Sequence, residues 1–172
     1  GTGGAETGGG GGAEAGAPGD TDPSPGCGKT PTLTSGPHTI TSAGLEREFI
    51  IDIPAGYDPT HPYRLVFGYH WMGGTMEDVA TGQTVQRDVW AFYGLKRLAN
   101  DTTIFVAPQG IDNGWANTDG RDLSLTDDML ALIEEDLCID RSRIFAGGFS
   151  YGGMFSSTLA CQRAEVFRAV AP

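Results

Sequence analysis

The chain has 172 residues, with 11 basic against 22 acidic side chains and a formal net charge of −11. Hydrophobic residues at 39% and aromatics at 9% suffice for the core of one domain, with or without a tail. The acidity argues against nucleic acid or an anionic membrane surface as main partner, and no run of 18 apolar residues offers a membrane span.

The first feature along the chain is a change of composition. Of 27 glycines, 12 fall within residues 1–28. That stretch lacks large apolar side chains, so burial cannot offset its ordering entropy. Residues 1–26 are therefore expected to form a disordered, weakly acidic linker, read as a tether to an upstream anchor or binding module. The chain does not begin with Met and carries no basic-then-apolar leader, so any export signal is expected to lie outside it.

Short apolar runs follow. Glu46–Ile53 reads as a strand ended by Pro54, and Asp58–Pro62 is turn chemistry. Tyr63–Tyr69 reads as a buried strand. Leu95, Leu98 and Ala99 make a short helical stripe after Trp90. Thr103–Ala107 is a strand closed by Pro108. A helix is expected over Thr126–Leu137, because Met129, Leu130, Ile133 and Leu137 share one face. Ser124 with Asp127 has capping-box form, and Asp128 adds charge to that first turn. The acids Asp127, Asp128, Glu134, Glu135 and Asp136 then belong to a solvated face, not to a catalytic cluster. Strand Arg143–Gly147, a helix from Gly152 to Arg163 and strand Phe167–Ala171 complete the set. This alternation predicts an α/β fold, a mostly parallel sheet with helices on both faces.

One motif carries chemistry. Gly148-Phe149-Ser150-Tyr151-Gly152 matches G-x-S-x-G, with an apolar strand before it and small residues opening a helix after it. This is the strand–turn–helix setting of a nucleophile elbow, which projects the serine hydroxyl at the C-terminal edge of the sheet. The loop His70-Trp71-Met72-Gly73-Gly74-Thr75 follows the earlier strand. In the α/β-hydrolase fold such a loop gives one oxyanion-hole N–H, expected here from Trp71 or Met72, and the residue after the nucleophile, Tyr151, gives the other. In that fold the base follows the serine in sequence. His70 precedes Ser150, so it is expected to brace the loop by a hydrogen bond. His38 and His61 look incidental. Trp115, in the segment 113–117 past a strand's C-terminal end, is weighed as a wall of the substrate pocket against simple packing, with Asn117 beside it.

The three cysteines, Cys27, Cys138 and Cys161, leave two readings open. They are free and buried, or the protein is exported and an odd count requires a partner elsewhere. A Cys138–Cys161 bridge is conceivable because both flank the connection into the elbow, unless their helices lie on opposite faces. Cys27 would then pair with a downstream cysteine.

From Cys27 to Pro172 the sequence resembles secreted feruloyl esterases of the first carbohydrate-esterase family, close to polyhydroxybutyrate depolymerase-like esterases. The residues that carry it are Gly26-Cys27-Gly28-Lys29, Tyr63–Gly68 running into His70-Trp71, Gly73-Gly74-Thr75, Ala107–Gly110, Asn113–Asn117 and Gly148–Gly153. The resemblance implies an α/β-hydrolase, secreted or surface-tethered. It implies hydrolysis of hydroxycinnamate esters of plant cell-wall polysaccharide, or of small phenolic esters, with Ser150 as nucleophile. No metal and no cofactor are expected. Residues 27–172 would be the N-terminal part of such a domain. The chain is expected to be truncated before the triad acid and histidine, and so to be inactive and aggregation-prone by itself. A polyhydroxyalkanoate depolymerase, an acetylxylan esterase and a non-catalytic pseudo-hydrolase remain as alternatives.

Overall fold

In a computed structural model, the structure describes residues 21–82 and 87–172. Among these residues six strands form one sheet: β1 (Gly36–Ser42), β2 (Leu45–Asp52), β3 (Tyr63–Tyr69), β4 (Thr103–Pro108), β5 (Ile139–Gly148) and β6 (Ala169–Ala171). Three α-helices among the described residues accompany them: α1 (Met76–Thr81), α2 (Arg121–Asp136) and α3 (Tyr151–Gln162). The spatial order is β1-β2-β4-β3-β5-β6. The β1/β2 and β2/β4 pairs are antiparallel, and β3 pairs in parallel with both β4 and β5. The mostly parallel sheet expected from the alternation is therefore present, with an antiparallel hairpin added at one edge.

That hairpin departs from the expected strands. β1 was not anticipated, and its inner strand β2 begins one residue earlier than expected. Ser42 faces Leu45 across a two-residue turn, with Ala43 at φ 48° and Gly44 at φ 76°. This left-handed pair matches the twist of a tight hairpin.

The central strands behave as their composition demands. Every residue of β4 is buried. On one face Phe49, Leu65, Phe67, Ile104 and Val106 pack with Met129 and Ile133 of α2, with Leu137 just beyond it, and with Phe155 and Leu159 of α3. On the other, Phe105 and Ala107 meet Val79 of α1 and Phe92.

Three further expectations are corrected. The segment after Trp90 forms two short 3-10 turns, Ala91–Gly94 and Lys96–Leu98, not an apolar helical stripe. Phe92 and Tyr93 have positive φ, which breaks any α-helical run, and Leu98 is 71% exposed. α2 starts at Arg121, five residues earlier than expected, and Ser124 lies inside it. Its first turn is served instead by Asn117, whose Oδ1 accepts from the N–H groups of Asp122 and Leu123. The Asp122 carboxylate in return accepts from the Asn117 N–H. This reciprocal cap spans a 3-10 turn, Thr118–Gly120, so it lacks the usual three-residue spacing.

The linker boundary also moves. Residues 1–20 of that expected linker lie outside the described residues, but the stretch just before Cys27 is docked. Pro23 bridges to Asp140, and Ser24 Oγ donates to the Leu137 carbonyl at 2.6 Å. A Cβ on Gly26 would fall 2.4 Å from the Leu137 carbonyl oxygen. This close approach seats Cys27 beside the end of α2, where it forms a disulfide with Cys138 at a Cα separation of 4.0 Å. The Cys138–Cys161 bridge is therefore excluded, Cys27 finds its partner within the chain, and Cys161 is free and exposed.

Candidate active site

Ser150 lies between β5 and α3 with φ 56° and ψ −116°. Such a backbone is strained for any residue bearing a Cβ, and it turns the chain sharply enough to leave the side chain exposed. The flanking glycines are required by the same geometry. A Cβ on Gly152 would stand 2.0 Å from the Tyr69 carbonyl oxygen, and one on Gly148 would stand 2.7 Å from it. The elbow thus presses against the end of β3, and the serine emerges at the C-terminal edge of the sheet.

The loop after β3 lies next to it. Gly73 N–H donates to the Asn113 carbonyl at 2.8 Å, and Gly74 N–H donates to the Trp71 carbonyl at 3.0 Å. The N–H groups of Trp71 and Met72 have no such acceptor among the described residues. On the elbow side, Tyr151 supplies the first N–H of α3, a position with no intrahelical partner.

His70 is fully buried and both ring nitrogens are committed. Nδ1 lies 2.8 Å from the Trp71 carbonyl, and Nε2 accepts from the Gly110 N–H at 3.0 Å. These partners fix the neutral tautomer that carries its proton on Nδ1. Burial also holds the ring's pKa below the ordinary histidine value. The expected brace is present: His70 ties its own loop to the segment after β4.

That segment does not place its tryptophan in an open pocket. Trp115 is only 2% exposed and stacks on Phe155 at 5.4 Å between ring centroids. Its indole N–H donates to the His70 carbonyl at 2.8 Å. Trp115 therefore packs beneath the loop, and the pocket-wall expectation gives way to the packing alternative. Asn117 is likewise occupied as the α2 cap.

Several participants carried no sequence signal. The Tyr93 hydroxyl donates to the Tyr69 carbonyl at 2.6 Å, which ties the 3-10 turn to the end of β3. Burial pushes its pKa up to about 12. Arg47 and Asp122 form a buried ion pair at 2.9 Å, and Arg47 also donates to the Gln109 carbonyl. Gln109 in turn bonds Asn113 and accepts from the Met76 N–H. A chain of polar contacts thus runs from β2 through the 109–117 segment to the loop after β3.

A mostly parallel sheet in this strand order, with a strained serine between strand and helix, is an α/β-hydrolase fold. Solved structures with this fold include one titled ferulic acid esterase, with a TM-score of 0.63 and 21% identity, covering 80% of this chain and 58% of that one. An acetyl xylan esterase from Aspergillus awamori has a TM-score of 0.61 at 17% identity, covering 78% of this chain and 50% of that one. Residues 112–172 match the model of the prolyl oligopeptidase family.

Among curated proteins the chain is 49% identical over 147 residues to feruloyl esterase C of Emericella nidulans, covering 86% of this chain and 52% of that protein. It is 42% identical over 152 residues to feruloyl esterase D of Neurospora crassa, covering 87% of this chain and 52% of that protein. The chain belongs to the feruloyl esterase family, and it spans about half the length of these relatives.

Proposed function

We propose that the protein is a serine esterase acting on hydroxycinnamoyl esters, such as ferulate linked to plant cell-wall polysaccharide. The observation that carries the chemistry is the exposed Ser150 at a positive-φ turn heading α3. The names of its relatives support the substrate class.

In this reading Ser150 Oγ attacks the ester carbonyl as its proton passes to a base. The new oxyanion faces the N–H of Tyr151 and that of Trp71 or Met72, the loop donors left uncommitted by the turn. Expulsion of the alcohol leaves an acyl-enzyme on Ser150. Water then attacks the acyl carbonyl, and hydroxycinnamate leaves with the serine proton restored. The base is none of the three histidines. His70 is buried and doubly bonded, and His38 bonds the Thr34 carbonyl from the outer strand. His61 packs edge-on against Tyr63 at the opposite end of β3.

The Cys27–Cys138 disulfide supports export to an oxidising compartment. Among the described residues no helix is long and apolar enough to cross a membrane. The Gly-rich residues 1–20 are proposed as the tether ahead of the catalytic unit.

Turnover of methyl ferulate by the full-length protein tests the reading, with Ser150→Ala as the control. The variant is expected to fold and to lose about 10⁴-fold or more in kcat. A folded Ser150→Ala protein with wild-type rates would remove Ser150 from the mechanism. Acetyl or hydroxyalkanoyl esters cleaved in strong preference to feruloyl esters would replace the substrate class.

A further inference from the structure

With Trp115 packed in the core, the aromatic surface open to a ligand lies on the other side of the elbow. A cavity of about 380 Å³ is lined there by Trp71, Asp78, Val79, Trp90, Tyr93 and Phe149. Its size falls in the range of small-ligand pockets, about 300–1,000 Å³. Two of its walls adjoin the proposed chemistry directly. Phe149 precedes Ser150 and is 64% exposed, and Trp71 belongs to the loop that supplies an oxyanion donor.

The cavity is shaped by contacts that only particular residues permit. A Cβ on Gly74 would come within 2.9 Å of the Trp71 ring, so glycine lets the indole fold back across its own loop. A Cβ on Gly82 would strike the Trp90 backbone at 2.5 Å, so glycine lets that segment close on α1. Tyr93 is fixed through its hydroxyl to the end of β3. Trp90 is 49% exposed, with the Arg97 guanidinium 5.6 Å from its ring centroid.

Asp78 is the one charged residue among the described residues of this wall. Its Oδ2 accepts from the N–H and hydroxyl of Thr75, at 3.0 and 2.9 Å. Its Oδ1 has no hydrogen-bond partner among the described residues. Four aromatic rings and one carboxylate oxygen with spare acceptor capacity match a planar aryl group that carries a hydroxyl donor.

Resting on the esterase reading of Ser150, we infer that this cavity receives the aryl end of the acyl group and that Asp78 accepts a hydrogen bond from its phenolic hydroxyl. Binding of ferulate and of 3,4-dimethoxycinnamate, measured calorimetrically on the full-length protein, separates the two contacts. Trp90→Leu is expected to weaken both acids at least tenfold. Asp78→Asn, which keeps an acceptor for Thr75, is expected to weaken ferulate at least fivefold and the dimethoxy acid less than twofold. Wild-type affinity in Trp90→Leu, or no ferulate binding by the wild type, overturns the aryl site. Equal losses on both acids in Asp78→Asn overturn the phenol contact. Should Trp90→Leu fail to fold, Phe149→Leu carries the same tenfold expectation and the same refutation. A protein that binds ferulate through Trp90 yet cleaves no ester sustains the aryl site and overturns the esterase reading instead.

Discussion

At Ser150 the demands of presentation and of stability oppose one another. A positive φ at a residue with a Cβ costs about 1–3 kcal/mol, and glycine would relieve it while adding about 0.5–1 kcal/mol of unfolded-chain entropy. Ser150→Gly is therefore expected to abolish turnover and to raise the melting temperature by about 2–4 °C, the shift for about 1 kcal/mol in a domain of this size. Calorimetry of the two forms checks it, and an unchanged or lower melting temperature would show the elbow to be unstrained. His70 gives a second expectation at this scale. Its folded pKa lies below the unfolded value because burial disfavours the cation. The unfolded chain thus takes up a proton first as pH falls. Stability from this site is complete above the unfolded pKa of about 6.5 and declines below it, towards the depressed folded value. Urea titrations at neutral pH and at pH about 5 should show that loss in the wild type, and a smaller one in His70→Gln. An identical pH dependence in the two proteins would remove His70 as the cause.

Among the elements, the join between the N-terminal segment and the α2–β5 junction holds the largest single covalent constraint. Cys27 and Cys138 are 111 positions apart. A cross-link closing so long a loop contributes about 4–5 kcal/mol in the chain-entropy model, and removal of native disulfides costs about 2–5 kcal/mol. The double variant Cys27→Ser with Cys138→Ser should lose stability in that range by denaturant unfolding. A loss below about 1 kcal/mol would mean that the loop is already restrained in the unfolded chain. This pairing was not legible in sequence, because it depends on how Ser24 and Gly26 dock on Leu137. By contrast β3 and β4 were legible to within a residue, since strands buried on both faces must be continuously apolar. β1 alternates partly exposed and exposed positions at the sheet edge, so it offered no apolar run. Ser150 was legible because its glycines answer a steric demand written into the motif. Trp115 and Asn117 lie in a loop, where spacing says nothing of direction: Trp115 turned inward and Asn117 took the first turn of α2.

For the molecule as a whole, the two faces of the sheet are unequally covered. α2 and α3 seal one of them. On the other, Val66, Phe145, Val170, Leu95 and Leu98 border an apolar cavity of about 370 Å³, and among the described residues β6 pairs only with β5. Residues 1–172 expressed alone are expected to bind a hydrophobic dye at this face and to self-associate through the β6 edge. Leu98→Lys should reduce the dye signal. A monomeric, dye-silent product in sedimentation and fluorescence would contradict this. The disulfide has a geometric corollary as well. Cys138 sits at the start of β5, where its carbonyl accepts from the Tyr63 N–H, whereas Ser150 follows the far end of that strand. The ten residues between these ends span roughly 30 Å at about 3.3 Å per residue. Cys27 therefore anchors the N-terminal segment at the pole opposite the serine. Immobilised on a solid support through a tag ahead of Asp22, the protein would turn its serine away from the support, towards bulk solution and any bulky polymer in it.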